Sequence, residues 1–582
     1  ILALFTAGCS GAPAGITDGS PEPTPRQVDP TPTPSEPDGA EPVSAERPED
    51  IFGIEKVSKM NLEGGPLTVQ STDYFTGSGN CTNCHREMTD QSGKDVSINT
   101  MWRSAVMANA SRDPYFKAAV KREATDLPEY QDFIEDKCST CHMPMARTTA
   151  HFNEQSTAMF DGGFYNPDHY LHEIAQDGVS CTVCHQIQAE NLGVSESFSG
   201  GFLIDRERPV GTRYLYGSNP VTDRRAAIMA GPSGYTPVEA KHIQQSELCA
   251  SCHTLFTPAI DENGEIFGEF PEQMPYLEWL ESNYVAEKSC QDCHMPPADG
   301  GVVLSITGGE PVSPFNQHLF IGANTYILRI LRQFGEELGV TASSDAFLDK
   351  IANTQEQLEN NAAEVQISEI EMIGDTLQVV VNLQNKVGHK LPTGFPSRRI
   401  WIHFTVTDAG GQVIFESGDY QSDGMILEND NDQDPNRYER HYDLISSEDQ
   451  VQIYEPILIN SLDEVTTHLL RVSSYTKDNR LLPEGFEKGT VSEAIDVHGQ
   501  ARGDEDFQGG GDSVMYRIDA AGAEGPLNIQ VEVLMQSIGF RWAVNHRGED
   551  NEESAQFMEY YDAVSNLPVL LAETTSQLEL GE

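Results

Sequence analysis

Apolar and polar positions alternate with period two through the C-terminal part of the chain. Leu377, Val379, Val381 and Leu383 share one face, and so do Ile400, Ile402, Phe404 and Val406. Leu527, Ile529, Val531 and Val533 repeat the arrangement with Asn528, Gln530 and Glu532 opposite, as half-buried strands do. Turn residues such as Asp408-Ala-Gly-Gly part these runs. Residues 366–582 are therefore predicted to form an antiparallel β-sandwich-like domain enlarged by insertions, with two smaller β-domains as the alternative. Ahead of it the period changes. A helix is predicted from Ser344, with that serine as cap, Asp345 in the first turn, and Phe347, Ile351, Leu358 and Ala362 on one stripe. This makes 331–365 a connecting segment. Residues 51–330 hold neither period for long and read as short helices and long loops, such as Asp113-Pro114-Tyr115, whose proline suits a first helical turn. Residues 10–50 are runs such as Pro21-Glu-Pro-Thr-Pro, which bury no core and predict a disordered, extended tether.

A region so short of periodic faces needs another source of core, and its cysteines point to one. The chain has eleven Cys, and ten form five Cys-x-x-Cys pairs, each followed at once by His. The motifs are Cys81/Cys84/His85, Cys138/Cys141/His142, Cys181/Cys184/His185, Cys249/Cys252/His253 and Cys290/Cys293/His294. This spacing is that of covalent c-type haem attachment: two thiols take the vinyl groups and the adjacent imidazole takes the iron. Zinc pairs would have no reason to demand His after the second Cys. With 16 His among 582 residues, five chance followers have a probability of roughly one in 10⁷–10⁸, against the Cys-x-x-Cys-His reading. Five haems within residues 51–330 define a pentahaem domain whose macrocycles form most of its core.

Haem attachment of this type belongs outside the cytoplasm, and the first residues agree. Ile1-Leu-Ala-Leu-Phe-Thr-Ala-Gly-Cys9 reads as a truncated lipoprotein signal over 1–9, with Cys9 as the lipidated residue. Ser10 after it suits sorting to the outer membrane, facing the periplasm or the cell surface; an ordinary signal peptide cut nearby is the alternative. Asp and Glu number 91 against 37 Lys and Arg, a formal charge of −54. That excludes nucleic-acid binding through a basic surface and disfavours docking on anionic lipid. No apolar run reaches the ~18 residues of a spanning helix.

The sixth iron position decides between electron transfer and substrate binding. Distal candidates are His172, His242 and His318, with His389, His169 and His151 behind them. His389, in Gly388-His-Lys-Leu-Pro, is a candidate for a β-domain loop reaching back to cap a haem. Met101, Met107, Met143 and Met145 are read as core filling before ligands. Arg398 and Arg399 are equally candidates for haem propionates and for ordinary ion pairs. Glu428-Asn-Asp430-Asn-Asp432-Gln-Asp434 alternates carboxylates as a calcium loop does, but Pro435 and His441 stand where Gly and Glu are needed, so a solvated turn is favoured. His441, His468, His498 and His546 are expected on surfaces or loops.

From about residue 98 to 570 the chain resembles a family of exported multihaem cytochromes c of respiring bacteria. The resemblance lies in Met101-Trp-Arg-Ser-Ala-Val-Met-Ala-Asn-Ala-Ser-Arg-Asp-Pro114, Asp177-Gly-Val-Ser-Cys-Thr-Val-Cys-His185, Gln245-Ser-Glu-Leu-Cys-Ala-Ser-Cys-His-Thr-Leu255, Ser289-Cys-Gln-Asp-Cys-His-Met-Pro296, Asn316-Gln-His-Leu-Phe-Ile-Gly322 and Gly388-His-Lys-Leu-Pro-Thr-Gly-Phe-Pro-Ser-Arg-Arg399. The haem segments are more distantly similar to the lineage of hydroxylamine oxidoreductase and the tetrahaem cytochrome of ammonia oxidisers. The resemblance implies electron transfer, with His172, His242 and His318 at distal-ligand positions, and implies no substrate. Three functions follow from this reading: a carrier relaying electrons between respiratory donors and a periplasmic or extracellular acceptor, a reductase or oxidase of a small nitrogen or sulfur compound at one five-coordinate haem, and a subunit of a polymeric extracellular cytochrome. Redox partner proteins or other cytochromes are the expected partners.

Overall fold

Hydrophobic faces set the architecture of the C-terminal half. Residues 60–580 are described by the computed structural model, apart from 62 and 210; Cys9 and the 10–50 tether lie outside the described residues. Two sheets pack face to face over one apolar core. One runs in the order β5 (Ala363–Ile373), β6 (Thr376–Asn385), β13 (Gly511–Asp519), β9 (Leu444–Ile445). The other runs β10 (Ile453–Tyr454), β7 (Arg399–Thr407), β14 (Leu527–Gln536), β15 (Val569–Leu578), with β8 (Val413–Ser417) also paired to β7. Pairing is antiparallel except between β13 and β9. The register sets Val381 against Val514 and Phe404 against Val531. Inward positions alternate with solvated ones, so Leu377, Val379, Ile402, Phe404, Ile529 and Val533 share a single buried cluster. Phe404 of one sheet stacks on Tyr516 of the other, 3.8 Å between ring centres and 8° between planes. Asp408 closes the β7–β8 turn by accepting from the Gly410 and Gln412 amides, with Gly411 at φ +80. One sandwich with a common core therefore stands where two smaller β-domains were the alternative.

A short hairpin, β11 (Pro456–Ile459) with β12 (Ser474–Asp478), extends from this domain. The helix before the sandwich spans Ser344–Asn361, and its cap is Ser343, whose hydroxyl accepts from the Ala346 amide. Phe347, Ile351 and Leu358 are buried on one stripe, and Lys350 and Thr354 are buried beside them.

Short helices and loops dominate the motif-bearing half. The helix Pro114–Asp126 starts as its residues require: the Asp113 carboxylate accepts from the Tyr115 and Phe116 amides, and proline takes the first turn. Two small sheets also occur here, β1 (Arg213–Gly217) parallel to β2 (Tyr235–Glu239) and the hairpin β3 (Leu255–Ile260) with β4 (Ile266–Gln273). At 5–8 residues each, these strands leave little periodic signal.

The two halves interlock. Helix Pro114–Asp126 carries Arg122, which pairs with Glu549 at 3.1 Å and donates to Thr467 at 3.0 Å. Its Glu123 accepts from the Leu469 amide at 2.8 Å. Tyr115 and Ala118 share a core with the helix Thr325–Gln333 and with Phe557, Tyr560 and Tyr561 of the helix Glu552–Ala563.

Candidate haem sites

Each motif sits at or near the end of a helix: Gly79–Thr82, Gln131–His142, Cys181–Cys184, Ser246–His253 and Cys290–His294. A helical turn brings both thiols of Cys-x-x-Cys to one side and leaves the following imidazole free to point away. In four motifs the helix holds both cysteines: Cys138 with Cys141, Cys181 with Cys184, Cys249 with Cys252, and Cys290 with Cys293.

Cys84 departs from this pattern. Its helix holds Cys81 but stops at Thr82, so Cys84 stands in the turn that follows. Two backbone bonds fix it there in place of a helical ladder: its amide donates to Cys81 O at 3.1 Å, and its carbonyl accepts from the Ile306 amide at 3.0 Å. Short-range turn bonds thus keep Cys84 within one turn of Cys81, and the distant 304–306 segment completes the first site by holding both Cys84 and His85. The ten motif cysteines, Cys84 among them, are partly buried and none forms a disulfide.

Four of the five motif imidazoles are oriented by a backbone carbonyl. The Nδ1 atoms contact Leu304 O for His85 at 2.7 Å, Ala110 O for His142 at 3.1 Å and Tyr216 O for His185 at 2.6 Å. Nδ1 of His294 does the same with Ile321 O. A carbonyl on Nδ1 fixes the proton there and leaves Nε2 as the lone-pair donor, which is how proteins present imidazole to a metal. Burial pushes His142 and His253 down to about 4 and lowers His85, His185 and His294. These rings are therefore neutral near pH 7 and need lose no proton to ligate.

Two imidazole pairs carry the decisive geometry. His185 and His318 lie 6.4 Å apart between ring centres with 20° between planes. His294 and His389 lie 6.3 Å apart with 18° between planes. Two imidazoles on opposite sides of one ion, each at a metal–nitrogen bond of about 2.0 Å and with its ring centre about 1.1 Å behind the nitrogen, have centroids about 6.2 Å apart. The measured separations match that arrangement with an iron between the rings. Burial pushes His318 down to about 3 and His389 to about 4, and Nδ1 of His389 contacts Lys390 O at 2.9 Å. The residues therefore fit haem at these two sites by donor type, protonation and spacing.

Among the described residues, His85, His142 and His253 have no second imidazole in this relation. Phe116 stacks flat on His142 at 3.5 Å and 3°, which steadies the ring without lying on its Nε2 axis. His172 is presented like the motif histidines, Nδ1 at 2.9 Å from Phe164 O. His242 is inverted: Nε2 contacts Ile187 O at 2.8 Å, which leaves Nδ1 as its donor atom. His169 accepts from the Leu171 amide at Nδ1, and His151 is exposed at the end of the helix Pro144–Phe152. Met101, Met143 and Met145 lie in apolar clusters.

The motifs form one connected group. Thiols of different motifs act on one another's ionisation: Cys181 lowers Cys81, Cys252 raises Cys141, and Cys290 raises Cys249. Cys249 also feels Cys184. The imidazoles repeat the map, with His85 acting on His185, His253 on His142 and His294 on His253. The first site thus adjoins the third, the third adjoins the fourth, and the fourth adjoins both the second and the fifth.

Around His389 stands a polar node that its sequence does not announce. Glu278, fully buried on the helix Pro275–Leu280, accepts from the Lys390 amide at 3.1 Å and from the Thr393 hydroxyl at 2.5 Å. Lys390 Nζ donates to Asp478 at 2.7 Å. Arg480 pairs with Asp478 at 2.7 Å and with Glu278 at 3.0 Å. Two acids and two bases bury as a neutral set, which limits the desolvation cost, and they bind the His389 loop to the motif-bearing half.

The structure narrows two further readings and corrects a third. Arg399 has no capacity for a propionate: it forms a bidentate pair with Asp432, both bonds 2.8 Å, and donates to Gln536 and Gly424. The 428–434 run is not a calcium loop, because Asp432 is turned inward onto Arg399 and the Ile426 amide while Asp430 pairs with Arg437. His441 and His546 are buried rather than on the surface. Nδ1 of His441 accepts from Gln452 and Asn479 and Nε2 donates to Asp504 at 2.8 Å, whereas His546 packs on Tyr115 and Phe557.

No protein-family model and no curated protein matches the chain. Among solved structures it is similar to a penta-haem cytochrome c552 from Thermochromatium tepidum, at 15% identity and a TM-score of 0.48, covering 86% of this chain and 98% of that one.

Proposed function

We propose that the chain is a pentahaem cytochrome c that relays electrons. The observation that carries this reading is the conjunction of five Cys-x-x-Cys-His motifs with two imidazole pairs at the spacing of bis-histidine iron. When bound, each haem supplies an iron that cycles between ferric and ferrous. The polypeptide's part is to hold neutral imidazoles in place, to seat the attachment points side by side and to keep ligand exchange out. His318 caps the site of His185, and His389 caps the site of His294 from the β-domain. Adjacency of the motifs supports a relay from the first site through the third and fourth to the fifth, with the second branching from the fourth. Export, a lipid anchor at Cys9 and delivery to a redox partner protein complete the proposal.

A second reading is favoured by one observation: His85, His142 and His253 lack a paired imidazole among the described residues. One such iron left five-coordinate would make the protein a reductase or oxidase of a small nitrogen or sulfur compound; a histidine from another copy would instead make it a polymeric cytochrome. Low-temperature EPR of the ferric protein, with five haems verified by intact mass, separates these. Only low-spin signals support the carrier, and a high-spin signal near one haem per chain supports the enzyme. If low-spin signals become high-spin on dilution, the missing ligand comes from a second copy.

A further inference from the structure

The solvated face of the second sheet gathers one imidazole and three carboxylates. His403 of β7 lies opposite Glu532 of β14 in the ladder register, and its Nδ1 is 2.9 Å from the Glu532 carboxylate. Its Nε2 is 3.0 Å from Glu416 of β8. Asp419 completes the group: one ligand atom each from His403, Glu416 and Asp419 lie within 4.8 Å of one another. Fixed backbone aims Asp419. Gly418 before it has φ +85, and a Cβ there would collide with Ile402 O; its carbonyl accepts from Trp401 Nε1 at 2.9 Å. The Asp419 carbonyl in turn accepts from the Leu427 amide at 2.8 Å. Among the described residues, no lysine or arginine pairs with these three carboxylates, and His403 is the base they share. None of the four residues belongs to a Cys-x-x-Cys-His motif.

A neutral imidazole has a single N–H. With that proton on Nδ1 towards Glu532, the Nε2 lone pair faces Glu416, an arrangement that repels unless a cation stands between them. An imidazole held by a carboxylate at one nitrogen and offering the other is how proteins orient a metal-ligating histidine. An ion bonded at about 2.0–2.2 Å to both an imidazole nitrogen and a carboxylate oxygen sets these atoms about 3.0–3.4 Å apart. The 3.0 Å between His403 and Glu416 falls in that range. We propose that His403, Glu416 and Asp419 bind a divalent transition ion of the zinc class, with Glu532 as the carboxylate that orients His403. The imidazole ligand favours such an ion over calcium or magnesium, which take oxygen. Its ligands come from β7, from β8 and from the segment after β8, so the ion pins the edge strand β8 to the sandwich.

The test titrates zinc by isothermal calorimetry near pH 7 into the full-length protein, treated with a chelator and checked by intact mass for unchanged haem content. The wild type is expected to bind zinc in the presence of excess calcium and to gain Tm as it does so. His403→Gln is expected to abolish that binding event and the gain in Tm. Glu532→Gln, which removes the orienting carboxylate and keeps the ligands, is expected to weaken it about 10–100-fold. Asp419→Asn, outside the strands, serves if the His403 variant does not fold, and is expected to weaken binding and shrink the gain in Tm. Absence of zinc binding to the wild type would overturn the proposal and leave His403 as an imidazolium paired with its carboxylates. Binding that survives these substitutions unchanged, or that calcium displaces, would overturn it as well.

Discussion

Single side chains carry most of the chemistry. His318 and His389 are kept neutral by burial and stand opposite His185 and His294. His318→Ala and His389→Ala are each expected to convert one low-spin ferric haem to high-spin without loss of haem from the chain, read by EPR and intact mass; loss of no low-spin signal would remove the assignment. A different residue-scale effect lies in the β-domain, where Asp443, Asp504 and Asp506 crowd together near buried Asp512. The Asp504 hydrogen bond raises Asp443 to about 6, burial and Asp504 raise Asp506 to about 7, and Asp504 itself is held low by His441 and its aspartate neighbours against its own desolvation. A carboxyl raised in the folded state contributes stability that is fully present below its unfolded pKa of about 3.9 and is lost as pH rises through the folded value. Asp506→Asn is therefore expected to raise Tm relative to wild type at pH 8, with the difference shrinking towards pH 5. An equal or larger difference at pH 5 would contradict the assignment.

Among the elements, strands β7 and β13 are joined by the Phe404–Tyr516 stack at the centre of the sandwich. Phe404→Ala should cost about 3–5 kcal/mol, whereas Gln530→Ala on the solvated face of β14 should stay within about 0.5 kcal/mol, both by chemical denaturation. The helix Pro275–Leu280 acts differently: through Glu278 it holds the backbone of the loop that bears His389. Glu278→Ala leaves Lys390 and Arg480 in excess over Asp478. It is expected to produce a partial high-spin signal at the fifth site, smaller than that of His389→Ala, and no change at the site of His318.

At the scale of the whole molecule, the proposed haems would sit in the field of a formal charge of −54, which favours ferric iron. Salt screens that field, since the Debye length falls from about 30 Å at 0.01 M to about 3 Å at 1 M. The midpoints are expected to lie low and to rise with ionic strength in a redox titration; most haems well above 0 mV in dilute buffer, or salt-independent midpoints, would contradict it. The motif-bearing half is also completed by the other half, which supplies His389 and grips the helix Pro114–Asp126 at Arg122 and Glu123.

Local chemistry was legible without coordinates. A Cys-x-x-Cys-His run is five consecutive residues and needs no partner to be recognised, and an alternating strand states its buried face in its own period, as Leu377 to Leu383 and Ile400 to Val406 do. How a motif is held was less so: Cys84 owes its place to a turn and to Ile306, which the five residues of its motif do not name. Partnership was not legible. Arg398 and Arg399 are adjacent and chemically identical, yet Arg399 pairs with Asp432 while Arg398, among the described residues, bonds the Thr393 carbonyl and no carboxylate. His318 lies 133 residues from His185 and His389 lies 95 from His294, and the Glu278, Lys390, Asp478 and Arg480 node draws on three separate segments. Such pairings are decided by which faces the packed cores bring together, and desolvation then sets what each group can do. By itself the sequence determined the five Cys-x-x-Cys-His motifs, the strand faces and the charge. Only the tertiary structure decided which histidines face each other and which charges pair, because opposition across a site depends on distance in space, and loops of this length place no constraint on it.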